Sequence, residues 1–354
     1  MTNPFTLSFG KEPTEFISRF SQTAEIMDDF TSSDPVSQVY MITGVRGSGK
    51  TVMLTKIKKE LRQDKTWVVV ELSPIRDMLR SLTAKLYEQP DLHKLFIKAS
   101  LDLSRLGIGV SIKNTVPVED IETALERMIK EIQKSGRKLL VTVDEALSNE
   151  YVREFASVFQ IILRDEYPIY LLMTGLYENI YELQNEEGLT FLYRAPKISL
   201  DALSVNAIRN AYKRVFQTGD EEADEMARLT MGYPFAFQVL GYLCWKKQGI
   251  DIKDVLPEYD QYLEEYVYSK IWSELSAKDR QVLGAMSELL FDEPEGASAK
   301  NAAIRNVIGM SSEEMSVYRE RLKRKGIIND PGYGQLSFRL PRFAKIIRLW
   351  GNVN

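Results

Sequence analysis

The sequence predicts an α/β fold in which a parallel sheet sandwiched by helices precedes an all-helical region and a helix-helix-helix-hairpin segment. Three observations predict it. Apolar runs of strand length alternate with helical periodicity over roughly residues 36 to 200, the pattern of parallel strands joined by crossover helices. Residues Gly44-Val45-Arg46-Gly47-Ser48-Gly49-Lys50-Thr51 spell a phosphate-binding loop set between an apolar run and a helix. From Val205 onward the spacing is helical until a turn-rich segment near the carboxyl terminus.

The first strand is Tyr40-Met41-Ile42-Thr43, and Thr51-Val52-Met53-Leu54-Thr55-Lys56-Ile57 opens the helix after the loop. Trp67-Val68-Val69-Val70-Glu71-Leu72 reads as a second strand, with helical stretches over about residues 75 to 103. Residues 107–112 alternate enough to suggest a small strand. Ile121, Leu125, Met128 and Ile132 recur at helical spacing. The continuous run Leu139-Leu140-Val141-Thr142-Val143 fits a strand buried on both faces. A helix over 151–163 and a strand over 169–174 complete the alternation. Helices are then expected over 207–216, 221–229, 235–245 and 259–272. Three shorter ones over 281–290, 300–308 and 312–325 precede strands near 327–328 and 336–338, with Pro331-Gly332-Tyr333-Gly334 as their turn. That order is the order of a winged helix.

A chain of 354 residues with 44% apolar content exceeds one hydrophobic core. Three domains are expected, over 1–200, 201–273 and 274–354. The formal charge of -4 argues against a uniformly basic nucleic-acid binder. The lone Cys244 cannot form an internal disulfide, and the lone His93 excludes a multi-histidine metal site. No run reaches the ~20 apolar residues of a membrane span, and the first residues do not begin a secretory signal. The chain reads as cytoplasmic, with no membrane partner.

The loop carries the most specific chemistry. Its glycines reach backbone angles closed to other residues, so successive N–H groups converge on a polyphosphate. Lys50 adds a point charge, and Thr51 places a hydroxyl where Mg²⁺ is coordinated. Asp144 and Glu145 end the strand at Val143, on the carboxyl edge where parallel sheets bind ligands. Asp144 suits Mg²⁺ held opposite Thr51, and Glu145 suits polarising a water. Alone, such a pair is more often a helix cap; the upstream loop reverses that preference towards the metal reading. Thr174, at the end of its strand, is either a turn residue or a contact to phosphate or water. Arg194 is either a surface arginine or a charge-stabilising finger in its own or a neighbouring subunit.

This ordered set resembles the AAA+ and STAND-like ATPases, above all the archaeal-type ATPases related to origin-recognition proteins. The likeness extends to Asn3-Pro4-Phe5, Phe9-Gly10, Pro13 and Phe16-Ile17-Ser18-Arg19, similar to an N-terminal element lining the adenine site, with Ser18 in place of its glycine. It implies an AAA+-like P-loop core, a helical lid and a winged helix. ATP and Mg²⁺ would be the cofactors. Arg19, residues 44–52 including Val52, and Tyr233 and Pro234 of the Gly232-Tyr233-Pro234 turn would contact nucleotide. Many relatives carry a sensor arginine beside that turn; Phe235-Ala236-Phe237-Gln238 supplies none. The implied function is an ATPase controlling a winged-helix effector. A nucleotide switch or interaction scaffold with little turnover is the alternative, and a metabolite kinase fits the extension poorly.

Residues 319–354 carry nine basic side chains against Glu320 and Asp330, a net of +7. Met315, Tyr318 and Leu322 would dock the third helix while Arg319, Lys323 and Arg324 face a duplex DNA groove. The other reading is a protein-contact surface, with a protein partner or a homo-oligomer.

Overall fold

The structure, a computed structural model, describes residues 2–8, 10, 13–109, 111–112, 115–247, 249 and 251–351. They divide into two compact units. Arg19–Thr43 and Lys50–Ser199 form a sheet unit; Gly44–Gly49 groups with the described residues of Met1–Ser18 and Leu200–Asn354 in a helical unit. Residues 1–18 and 44–49 thus group with 200–354, a division that cuts across the expected 1–200 segment.

The sheet unit runs α1 (Phe20–Thr31), β1 (Val39–Thr43), α2 (Lys50–Leu61), β2 (Trp67–Leu72), α3 (Met78–Glu88) and α4 (Pro90–Lys98). It continues through α5 (Ile121–Lys134), β3 (Lys138–Val143), α6 (Glu150–Arg164), β4 (Ile169–Gly175), α7 (Tyr177–Gln184), α8 (Thr190–Arg194) and β5 (Lys197–Ser199). All strand pairs are parallel, in the order β2-β3-β4-β1-β5. The register explains the unbroken apolar runs. Met41, Met173, Val143 and Leu72 lie in one row across β1, β4, β3 and β2, on the face whose core includes Leu82, Leu86, Leu125, Met128, Phe155 and Phe159 from α3, α5 and α6. The alternate positions carry an aromatic layer on the other face: Phe30 of α1 meets Tyr40 and Tyr170 edge-on, and Trp67 packs against Tyr170. Both faces exclude water, so period-two alternation vanishes from β3 and β4.

Side-chain caps set several helix starts: Asp77 accepts from Arg80 N, Asp120 from Thr123 N and Asn149 from Val152 N. The helical stretch expected over 75–103 is two helices, because Pro90 starts α4 where it would break a longer helix. The strand expected over 107–112 does not form across the described residues; Val110 lies outside them, as does Phe9 of the N-terminal motif. The buried Asp102 carboxylate explains the difference. It accepts from Ser104 N and Ile112 N and from the Ser111 and Thr115 hydroxyls, which curls the segment into a loop, and these hydrogen bonds hold its pKa well below the usual carboxylate range.

The helical unit contains α9 (Val205–Phe216), α10 (Asp220–Arg228), α11 (Pro234–Lys246), α12 (Ile252–Leu263), α13 (Ser269–Ser273) and α14 (Ala277–Leu290). Then come β6 (Ser298–Lys300), α15 (Asn301–Ile308), α16 (Ser312–Arg324), β7 (Ile328–Asn329), β8 (Gln335–Phe338) and α17 (Phe343–Gly351). The helix expected over 259–272 is interrupted by a π-helical segment, Glu264–Tyr268, between α12 and α13. β6, β8 and β7 form an antiparallel sheet beside α14, α15 and α16, an arrangement that fits a winged helix. Phe5 enters this unit's core against Tyr212, Phe216 and Phe237, where Gly241 leaves room for its ring. Among the described residues no helix is long and apolar enough to cross a membrane.

Candidate functional site

Strand order decides what the sheet unit brings together. β3, β4 and β1 are adjacent and parallel, so Asp144, Thr174 and the end of β1 at Thr43 share one carboxyl edge. At that edge the Thr51 hydroxyl donates to Asp144 Oδ2 at 2.9 Å, and the Thr174 hydroxyl donates to Asp144 Oδ1. Glu145 N–H bonds Asp144 Oδ1 at 3.1 Å and Thr174 Oγ1 at 3.2 Å, and Ala146 N–H bonds the Thr174 carbonyl at 2.7 Å. Glu145 itself is exposed and has φ +53°, a left-handed conformation costing on the order of 1 kcal/mol in a non-glycine residue. Lys50, the first residue of α2, is buried. A carboxylate beside a hydroxyl is a hard oxygen set, suited to Mg²⁺ that keeps water and phosphate as its remaining ligands. Thr174 thus contacts both the Asp144 carboxylate and the Glu145 amide.

Within the helical unit the glycine segment of the loop has its own contacts. Gly47 and Gly49 have φ +73° and +92°, the left-handed angles that only glycine adopts freely. Val45 packs against the unit's core. The Tyr233 hydroxyl donates to the Arg46 carbonyl, and the Arg46 guanidinium pairs with Glu274 at 2.8 Å. A side chain at Gly47 would collide with the Tyr233 hydroxyl and with Phe235 Cβ. Burial raises the Tyr233 pKa, so its hydroxyl is a neutral donor. Ser48 is buried with its Oγ lacking a hydrogen-bond partner among the described residues. Two left-handed glycines beside an unsatisfied buried hydroxyl fit an anion-binding loop, so the residues present suit a polyphosphate.

Of the remaining expected site residues, Tyr233 meets the loop. Arg19, half-buried, is the N-cap residue of α1. Arg194 ends α8 and is exposed. Pro234 opens α11, and Tyr233, its N-cap residue, is turned to Arg46. Gly232 has φ +76°, and a Cβ there would strike the Leu203 carbonyl, so the turn needs glycine for both reasons. Phe235 and Glu274 were not expected as contacts of the loop. No local pattern marks them, because the contacts join residues about 190 and 230 positions apart in the chain.

The basic residues near the carboxyl terminus are extensively paired. Arg319 meets Glu320 at 3.1 Å; Lys323 meets Asp330 at 2.6 Å and Glu320 at 3.3 Å; Arg324 Nε donates to the Glu320 carbonyl at 3.4 Å. The hydrogen bond to Asp330 raises the Lys323 pKa. Arg321 pairs with the buried Asp279, Arg339 with Asp201, and Arg342 with Asp260 through two 2.6 Å hydrogen bonds.

The KAP family P-loop domain matches residues 17–174, and a domain of unknown function, DUF8462, matches residues 265–347. No curated protein matches the chain by sequence. Among solved structures, the Walker-type ATPase of Pyrococcus abyssi has a TM-score of 0.64 at 14% identity, covering 97% of this chain and 99% of that one. The ORC2 protein of Aeropyrum pernix, solved as ADPNP-ADP complexes, has a TM-score of 0.63 at 12% identity, over 98% and 97% of the two chains. The chain has the fold of an AAA+, origin-recognition-like P-loop ATPase. That P-loop ATPase fold supports nucleotide binding, and the Asp144 cluster sits on the sheet edge where such a fold carries its ligand.

Proposed function

We propose that the chain binds ATP with Mg²⁺ at residues 44–51 and hydrolyses it, its nucleotide state acting on a helical lid over 201–273 and a winged-helix region over 274–354. One observation carries the reading: Asp144 accepts hydroxyls from both Thr51 and Thr174, with Glu145 placed next to it in a strained, exposed conformation. Bound Mg²⁺ supplies charge neutralisation on the phosphate oxygens. Thr51 Oγ1 and the Asp144 carboxylate would hold the cation. The loop amides and the Lys50 ammonium bind phosphate oxygens. Thr174 fixes the Asp144 carboxylate, and its bond to the Glu145 amide sets the backbone from which Glu145 orients water and takes up its proton. Arg194, exposed at the end of α8, is available to a nucleotide held by a second copy. Phosphate release from Mg-ATP by the full chain tests the reading. Turnover that Glu145→Gln leaves unchanged removes Glu145 from the chemistry.

A second reading, a nucleotide switch with little turnover, is favoured by Phe235. It packs at Gly47, next to the turn where many relatives carry a charged sensor residue. The winged-helix region would then deliver the output, to duplex DNA or to a protein. Phosphate release measured with and without duplex DNA separates the two readings.

A further inference from the structure

We infer that Tyr233 is a positioning residue for the phosphate loop, its hydroxyl orienting the Arg46–Gly47 peptide so that the lid sets the loop's affinity for nucleoside di- and triphosphates. The inference rests on the proposed nucleotide site. Its starting point is peptide planarity: in a trans unit the C=O and the following N–H point in opposite directions. The Tyr233 hydroxyl holds the Arg46 carbonyl, which directs the Gly47 N–H away from the tyrosine. Gly47 is an exposed residue, and the side a Cβ would occupy is closed by Tyr233 and Phe235. With Gly47 at φ +73° and Gly49 at φ +92°, the next amides curl in the manner of an anion nest. Rotating the 46–47 peptide would replace a donor with a carbonyl oxygen and turn one contact to phosphate from attraction into repulsion.

Three features make the lid's grip specific to this peptide. Tyr233 is the N-cap residue of α11, and its own backbone is tied down: Tyr233 N–H bonds the Thr230 carbonyl at 2.8 Å, and Leu203 N–H bonds the Gly232 carbonyl at 2.8 Å. The hydroxyl is therefore presented from a rigid turn. The Arg46 guanidinium is held separately by Glu274, which follows α13 and also meets Lys270 at 3.3 Å. The backbone of one loop residue is thus fastened to the lid at Tyr233 and its side chain to Glu274, just past the lid's last helix. Phe235 adds apolar contact and no charge, so the lid acts on the loop's shape. Coupling of this kind is reciprocal: whatever moves the Met231–Tyr233 turn changes nucleotide affinity, and nucleotide changes the turn.

The test is ADP and ATP affinity of the full chain by calorimetry at 10 °C. Wild type and Lys50→Ala establish the site: tight binding by the first and none by the second support the underlying reading, and absence of binding by wild type ends both that reading and this inference. Given wild-type binding, Tyr233→Phe is expected to weaken both nucleotides about five- to tenfold, the effect of one oriented hydrogen bond. Glu274→Gln should weaken them about two- to threefold, since its pair is half-exposed. In the double variant the losses should be non-additive, because both contacts hold Arg46. The Tyr233→Phe loss should appear in the affinity of folded protein, with a near-wild-type circular dichroism spectrum at that temperature. Tyr233→Phe that stays folded and binds as tightly as wild type, or more tightly, overturns the inference.

Discussion

Charge is handled in opposite ways at the sheet edge and near the carboxyl terminus. Asp144 is surrounded by neutral donors: the hydroxyls of Thr51 and Thr174 and the amide of Glu145. Lys323, Arg321, Arg339 and Arg342 each meet a carboxylate of the same chain. Neutral donors orient a charge and leave it available to a ligand; a counter-ion takes up the field a ligand would use. Asp144 is thus oriented by neutral groups, whereas the paired cations tie the carboxyl-terminal segment to itself and to Asp201 and Asp260 of the preceding helical region.

The comparison breaks most visibly at Lys50. Replacing it with Ala should lower ATP affinity more than about a hundredfold, because the loop loses its point charge for phosphate; calorimetry decides, and near-wild-type binding would mean the loop is no phosphate site. Next is Glu145→Gln, for which phosphate release should fall by about 10² to 10³ with ATP affinity within about threefold, the signature of a lost proton acceptor.

The paired side is tested by Arg342→Ala. Arg342 has φ +62°, is buried, and makes two 2.6 Å hydrogen bonds to Asp260, while its amide bonds Glu295 at 3.0 Å. Removing the guanidinium leaves a part-buried carboxylate unpaired, so urea denaturation should show a loss of about 3 kcal/mol. A loss below about 1 kcal/mol would mean the pairing is incidental. Thr174→Val should have a smaller effect. It keeps the volume and removes a donor one step from the chemistry, so turnover should fall about tenfold while Thr174→Ser retains most of it.

These expectations separate what local sequence reveals from what it hides. β2 begins and ends where its run does, and β3 and β4, buried on both faces, lie within one residue of theirs, because such strands read as near-continuous apolar runs. Asp144 and Glu145 were legible for the same reason: they stand where that run stops. β5, β6 and the last helix were missed; two are three-residue strands, whose pairing depends on partners far along the chain. The strand expected over 107–112 does not form across the described residues because one buried carboxylate, Asp102, gathers hydrogen bonds that alternation does not register. At the site, the Tyr233 contact was invisible for another reason. The turn motif suggested a residue facing nucleotide, and only the folded chain places its hydroxyl on the Arg46 carbonyl.

The smallest expected effect concerns the basic surface of α16, and it bears on the comparison most directly. A cation contributes to duplex binding by releasing counter-ions from phosphate, each contact adding about 0.9 to the slope of log affinity against log salt. Lys323 must first leave Asp330, 2.6 Å away, and Glu320, 3.3 Å away, so its net contribution is reduced by the pairs it gives up. Lys323→Ala should therefore change duplex affinity less than about threefold, with the salt slope shifting by less than about half of one contact. Glu320 sits among Arg319, Lys323 and Arg324, so Glu320→Gln should do the reverse and strengthen binding about two- to threefold at low salt. A tenfold loss in Lys323→Ala, with the slope reduced by a full contact, would show that these pairs open on DNA, and the carboxyl-terminal surface would then belong with the sheet edge as a place prepared for a ligand.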